Sequence, residues 1–165
     1  AFAVHGHATT GGMVTRLLLV IHLACVAVWL GAFLPLHRLC RLATDDPVAL
    51  LELAQTGRRF AQVGSITVAL LLVSGGILAV FLTGSVTAMV ATDYGLALSG
   101  KVILVSGLLG LAALNRFRLV PAVDMGERAA AARLSLSLRL EMLIALAIIL
   151  VTSLLTTSLD LPMPP

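Results

Sequence analysis

Four runs of about 20 apolar residues each constrain this chain more than anything else in it, because a helix of that length crosses the hydrocarbon core of a bilayer. The first extends from Val14 to Leu36, interrupted by Arg16 and His22, and the second from Val63 to Leu82. The third extends from Leu98 to Leu114 with Lys101 inside it, and the fourth from Leu140 to Leu159. Backbone groups find no water in lipid, so each run is expected to be a helix that satisfies its own hydrogen bonds. The apolar–polar alternation of a barrel strand is absent from all four. Composition agrees. Of the 165 residues 59% are hydrophobic and 12% charged, with mean hydropathy +1.08, whereas soluble domains carry about 25% charged residues. A soluble domain and a disordered chain are both excluded. The expected fold class is all-α, a polytopic membrane protein built as a four-transmembrane-helix bundle. Residues 1–13 form an N-terminal tail, 14–159 the transmembrane domain and 160–165 a C-terminal tail.

The connections differ in charge. Arg38, Arg41, Arg58 and Arg59 lie between the first and second spans, and Arg116, Arg118, Arg128, Arg133 and Arg139 between the third and fourth. The second-to-third connection, 83–97, and the tail after Leu159 carry no basic residue, which leaves only Arg16 and Lys101 toward the other side. Arginine-rich connections stay in the cytoplasm. Both termini are therefore expected to be periplasmic, an N-out and C-out arrangement. Val48 to Arg59 reads as a short amphipathic stretch after Pro47, with Asp45 or Asp46 as its N-cap. The stretch from Gly126 to Arg139 reads as an extension of the fourth span. A net charge of only +3 gives no reason to expect nucleic acid as a partner.

Cys25 and Cys40 are fifteen positions apart on one helix, roughly 22 Å along its axis, too far to bond within one chain. The chain starts at Ala1, as after removal of a leader or as a piece of something longer. The first span lacks the flanks of a signal peptide and is read as a retained span.

Ionisable groups in lipid cost at least about 2.5–3.5 kcal/mol each and so ask for a role. His22 is the deepest, roughly 12 Å from the outer end of its span. Cys25 and Trp29 follow at i+3 and i+7 on the same face. Imidazole and thiolate together suit a soft metal such as Cu(I), and imidazole alone suits a heme iron. A hydrogen bond to a neighbouring helix, with Cys25 merely packed, explains the same residues without a metal. Lys101 lies in the same outer half and either snorkels to the surface or pairs with His22. Glu141, at the inner end of the fourth span, is expected to latch onto Arg59, Arg116 or Arg139, with Asn115 nearby. His37 reads as interfacial. At the outer end His5 and His7, with Met13, Met89 and Met163, offer a second set of imidazole and thioether ligands suited to copper. Gly75, Gly76, Ser106, Gly107 and Gly110 read as close-packing positions between helices. No nucleotide-binding loop, catalytic triad or zinc-protease motif occurs, so no enzymatic activity is expected.

The segment IHLACVAVWLGAFL resembles the first helix of the copper-resistance protein D (CopD) family. GRRFAQVGSITVALLLVSGGILA resembles the next segment, with Ser74-Gly75-Gly76 where the family often shows Thr-Gly. DYGLALSGKVILVSGLLGLAALNRFRLVP resembles the third, through Tyr94-Gly95, Lys101 and Asn115-Arg116 leading to a proline, and LRLEMLIALAIILVTSLLTTSLDLPMPP resembles the last. The resemblance covers about Leu18 to Pro165. It implies a bacterial inner-membrane protein of copper uptake or tolerance that works with a periplasmic CopC-type copper-binding partner. Many members carry eight spans with this four-span unit at the C-terminal end, so a complete transporter implies a homo-oligomer, a second chain or a further N-terminal half.

Three functional readings follow. The first is a copper-handling protein with His22, Cys25, His5, His7 and Met13 as ligands, supported by Trp29, Tyr94, Lys101, Asn115, Arg59 and Glu141. The second is a heme-binding redox or assembly protein. Here His22 and His37 lie roughly 22 Å apart on one helix and cannot share an iron within one chain. The third is a non-catalytic subunit of a larger membrane complex.

Overall fold

The computed structural model describes residues 3–83 and 93–157, with side-chain surroundings over 12–80 and 98–153. Among these residues every regular element is helical. Helix α1 spans Ala3–Leu42, α2 Pro47–Thr83 and α3 Asp93–Leu114. A π-helical turn, Asn115–Leu119, joins α3 to the short α4, Val120–Asp124, and α5 spans Arg128–Thr157. Four stretches are long and apolar enough to cross a membrane: 12–42, 47–80, 98–124 and 128–153. The chain is a multi-pass α-helical membrane protein.

The helices run beyond the apolar runs that define the spans. At 40 residues, α1 is roughly 60 Å long, about twice the hydrocarbon thickness. It starts within the expected N-terminal tail and continues through Pro35. The amphipathic stretch at Val48 to Arg59 is no separate element, because nothing between it and the second span breaks the helix. Asp46 is its N-cap. The Asp46 Oδ1 accepts from the Val48 backbone N–H at 2.8 Å, and Pro47 fills the first helical position, where no donor is needed. The expected extension of the fourth span is present as the first turns of α5. Gly126, at φ +87°, makes the reversal from α4 into α5, a conformation that costs a residue with a Cβ.

Helix α1 packs along both α2 and α5, and α5 packs along α3. Helix α4 closes against α2, where Val120 lies 3.5 Å from the place a Cβ on Gly57 would occupy. The buried core gathers toward the arginine-rich end. It joins Trp29, Phe33, Leu36 and Cys40 of α1 to Leu53 of α2, Val123 of α4, and Leu134 and Leu138 of α5. Ala43, Ala49, Ala54, Ala130 and Ala131 are buried among them. Such small side chains let helix backbones approach, which matters where dispersion rather than the hydrophobic effect holds helices together. Toward the other end Val14, Leu17, Val20 and Leu23 are exposed, as lipid-facing residues should be.

The small residues of the third span do not pack as expected. Among the described residues a Cβ on Gly107 or Gly110 would meet nothing within 4 Å, and the same holds for Gly76. Ser106 is exposed and returns its hydroxyl to the Val102 carbonyl. These positions therefore do not bring two helices of this bundle together.

Candidate functional site

His22 projects from α1 onto the middle of α2. Its Nδ1 lies 3.0 Å from Ser74 Oγ. The Ser74 hydroxyl donates to the Leu70 carbonyl one turn back, at 2.6 Å. A hydroxyl has one proton, so toward His22 the Ser74 oxygen is the acceptor and Nδ1 the donor. A neutral imidazole that donates through Nδ1 keeps its lone pair on Nε2. Gly75 makes room for the ring, since a Cβ there would lie 3.1 Å from His22 Cε1 and 3.5 Å from Nδ1. Ser74 is buried and orients the ring, and Gly75 admits it. The sequence signal for this pairing was a serine and glycine side by side in mid-span, at a depth opposite the one deep histidine.

Cys25 follows His22 by one turn and is a buried free thiol. Lys101, on α3, is half-buried. Trp29 shares the His22 face two turns along but belongs to the core. Its ring meets Phe33 edge-on at 6.3 Å and Phe60 at 6.1 Å, and its indole N–H has no partner among the described residues. Met13 is exposed, nine positions before His22 and so roughly 13 Å along the helix, which separates it from this site. His5 and His7 lie in the first turns of α1 and Tyr94 in the first turn of α3, with side chains outside the described residues. Met89 and Met163 also fall outside the described residues. Among the described residues no group of three His, Cys, Asp or Glu side chains comes together that could hold a metal ion. His22 and Cys25 are a pair on one face.

The expected Glu141–arginine latch is replaced. Glu141 is 2% exposed and accepts a hydrogen bond from the Asn115 side-chain amide. The nearby cations are occupied elsewhere or stay outside. Arg116 donates to the Ala61 carbonyl, Arg139 donates to His37 Nε2 at 3.4 Å, and Arg59 is exposed. The π-helical turn that starts at Asn115 buries this amide on α5 while Arg116, the next residue, reaches α2. His37 is tied at both ring nitrogens, Nδ1 lying 3.1 Å from Ser135 Oγ. It packs from α1 against α5.

The family model described as Copper resistance protein D matches residues 54–155. The chain belongs to the CopD family. It is also 34% identical over 120 residues to "Copper resistance protein D" of Pseudomonas syringae pv. tomato, an alignment that takes in 69% of this chain and 39% of that protein. The chain thus spans about two fifths of the length of this relative. No solved structure matches it. The family match begins within α2, so Ser74, Gly75, Lys101, Asn115 and Glu141 lie inside the CopD region and His22 and Cys25 precede it.

Proposed function

We propose that this CopD-family chain handles copper in the bacterial inner membrane, in transport or tolerance, by passing it between the periplasm and the helix bundle. Copper is its cargo, and the chain has no catalytic role. The observation that carries the reading is the His22 Nδ1 held 3.0 Å from Ser74 Oγ, whose own proton goes to Leu70; the tautomer this implies leaves a lone pair on Nε2 inside an apolar span. An imidazole held by a second hydrogen bond is the usual form of a histidine ligand. Cys25 adds a soft sulfur one turn deeper, and imidazole with thiolate selects copper over hard cations. His5, His7 and Met13 lie on the same helix, before this pair, and are proposed to receive copper from a periplasmic CopC-type partner. Further ligands come from a second copy of the chain or from a larger membrane complex. Both termini face the periplasm in this reading.

Copper content of the purified protein, measured by mass spectrometry of the metal, tests the assignment. His22→Ala should lose most of the bound copper at unchanged expression. His22→Asn should lose it too while keeping a hydrogen bond to Ser74. Copper retained at the wild-type ratio in both variants would make His22 a helix–helix contact only. The absorption spectrum separates the heme reading: a Soret band would replace copper handling with heme binding. Among the described residues, His37 has no nitrogen left over for an iron.

A further inference from the structure

A cleft of about 520 Å³ opens between the end of the third span and the start of α5. Its two walls have the same polarity gradient. On one wall Leu111, Leu114 and Arg118 recur at spacings of three and four, and on the other Arg133, Ser137 and Leu140 recur at four and three. Each set shares one helical face. The third span ends in the arginine-rich connection and α5 begins there, so both arginines lie at one end of the cleft and Leu111 and Leu140 at the other. The cleft is cationic at the membrane surface and apolar toward the bilayer centre.

The two arginines are spare. Arg58 is paired with Asp124, Arg116 binds the Ala61 carbonyl and Arg139 faces His37. Arg118 and Arg133 have no such partner among the described residues. Glu127 also lines the cleft, so two cations face one carboxylate and the balance is positive. Ser137, 5% exposed, also lines the cleft, and among the described residues its hydroxyl has no hydrogen-bond partner.

We infer that this cleft is a binding site for an anionic phospholipid of the leaflet at the arginine-rich end. The phosphate lies between Arg118 and Arg133, and an acyl chain runs along Leu114 and Leu140. Basic pockets between transmembrane helices select anionic headgroups through charge, and the apolar length of this one excludes a free anion as its natural occupant. The second cleft, about 330 Å³ between Arg41 and Arg139, is lined mainly by polar residues and has no comparable apolar wall.

Native mass spectrometry of the full chain released from detergent micelles tests the site, with phosphatidylglycerol and phosphatidylcholine of the same acyl chains as probes. One phosphatidylglycerol should be retained in preference to phosphatidylcholine. Retention should fall at least about tenfold in the double variant Arg118→Gln/Arg133→Gln. It should hold in Arg38→Gln/Arg41→Gln, which removes the same charge elsewhere. Equal retention of the two lipids, or equal loss in the two double variants, overturns the proposal. Displacement of the lipid by excess inorganic phosphate would make the cleft a soluble-anion site and overturns it as well. If the cleft variant does not fold, photoactivatable phosphatidylglycerol on the wild-type protein decides. Crosslinks on 111–118 and 133–140 support the site, and crosslinks spread evenly over the other helices refute it.

Discussion

His22 depends on two small neighbours, and each makes a different failure. Gly75 leaves a space that the imidazole fills, and a Cβ there would stand 3.1 Å from Cε1. That is too close for a ring already held at Nδ1, so either the ring turns or α1 and α2 move apart. Gly75→Ala should therefore lower copper content as His22→Ala does, with the four spans still inserted. Ser74→Ala removes the acceptor and leaves the space. It should weaken copper affinity by about 10-fold or more, since loss of an outer partner typically costs about 10–100-fold in metal affinity. Metal analysis of the two variants side by side checks this, and unchanged copper in Gly75→Ala would show that the ring geometry is not what matters. At this scale the sequence was half legible. A histidine deep in an apolar run announces itself by its cost. Serine and glycine in a span cost little and read as packing, so only the three-dimensional pairing across 52 positions shows what they hold.

Between elements, the contact of Glu141 with Asn115 links α5 to the π-helical turn. A hydrogen bond, not an ion pair, joins them, so the side chain opposite Asn115 needs an acceptor rather than a charge. Glu141→Gln supplies a carbonyl oxygen and should keep the fold close to wild-type stability. Glu141→Ala leaves the Asn115 amide buried without a partner and should destabilise the bundle by about 1–3 kcal/mol. Thermal unfolding of the detergent-solubilised protein measures both. Equal loss in the two variants would mean that the carboxylate charge matters after all. The helices themselves were legible from apolar run length, and the start of α2 from Asp46 and Pro47. Their full lengths were not, because polar but helix-compatible residues continue each span beyond the lipid. The π-helical turn has no local signature in Asn-Arg-Phe-Arg-Leu. It follows from tertiary demands, with Asn115 and Leu119 buried and Arg116 drawn to Ala61.

Across the whole molecule, charge and packing are polarised toward the same end. The tight core lies at the end where the arginines cluster, and the His22 site lies toward the other end, where α1 presents leucine and valine to lipid. Nine of the eleven Lys and Arg residues occupy the two connections at the first end. In the orientation proposed from this bias, that end is cytoplasmic. In that proposed orientation the His22 site lies toward the periplasmic side, from which the proposed copper carrier would deliver. Orientation and the proposed direction of approach thus stand or fall together. Single cysteines introduced as Thr10→Cys and Met163→Cys test both with a membrane-impermeant maleimide. The native cysteines give little background, since Cys40 is fully buried and Cys25 is 8% exposed. Labelling of both introduced residues is expected in spheroplasts, where the periplasmic face is open, and not in inverted vesicles. The reverse pattern would place His22 nearer the cytoplasm. It would make the arginine-rich clefts periplasmic and remove the basis for delivery by a CopC-type partner at this site, while leaving the copper content of His22→Ala as an independent test of the ligand itself.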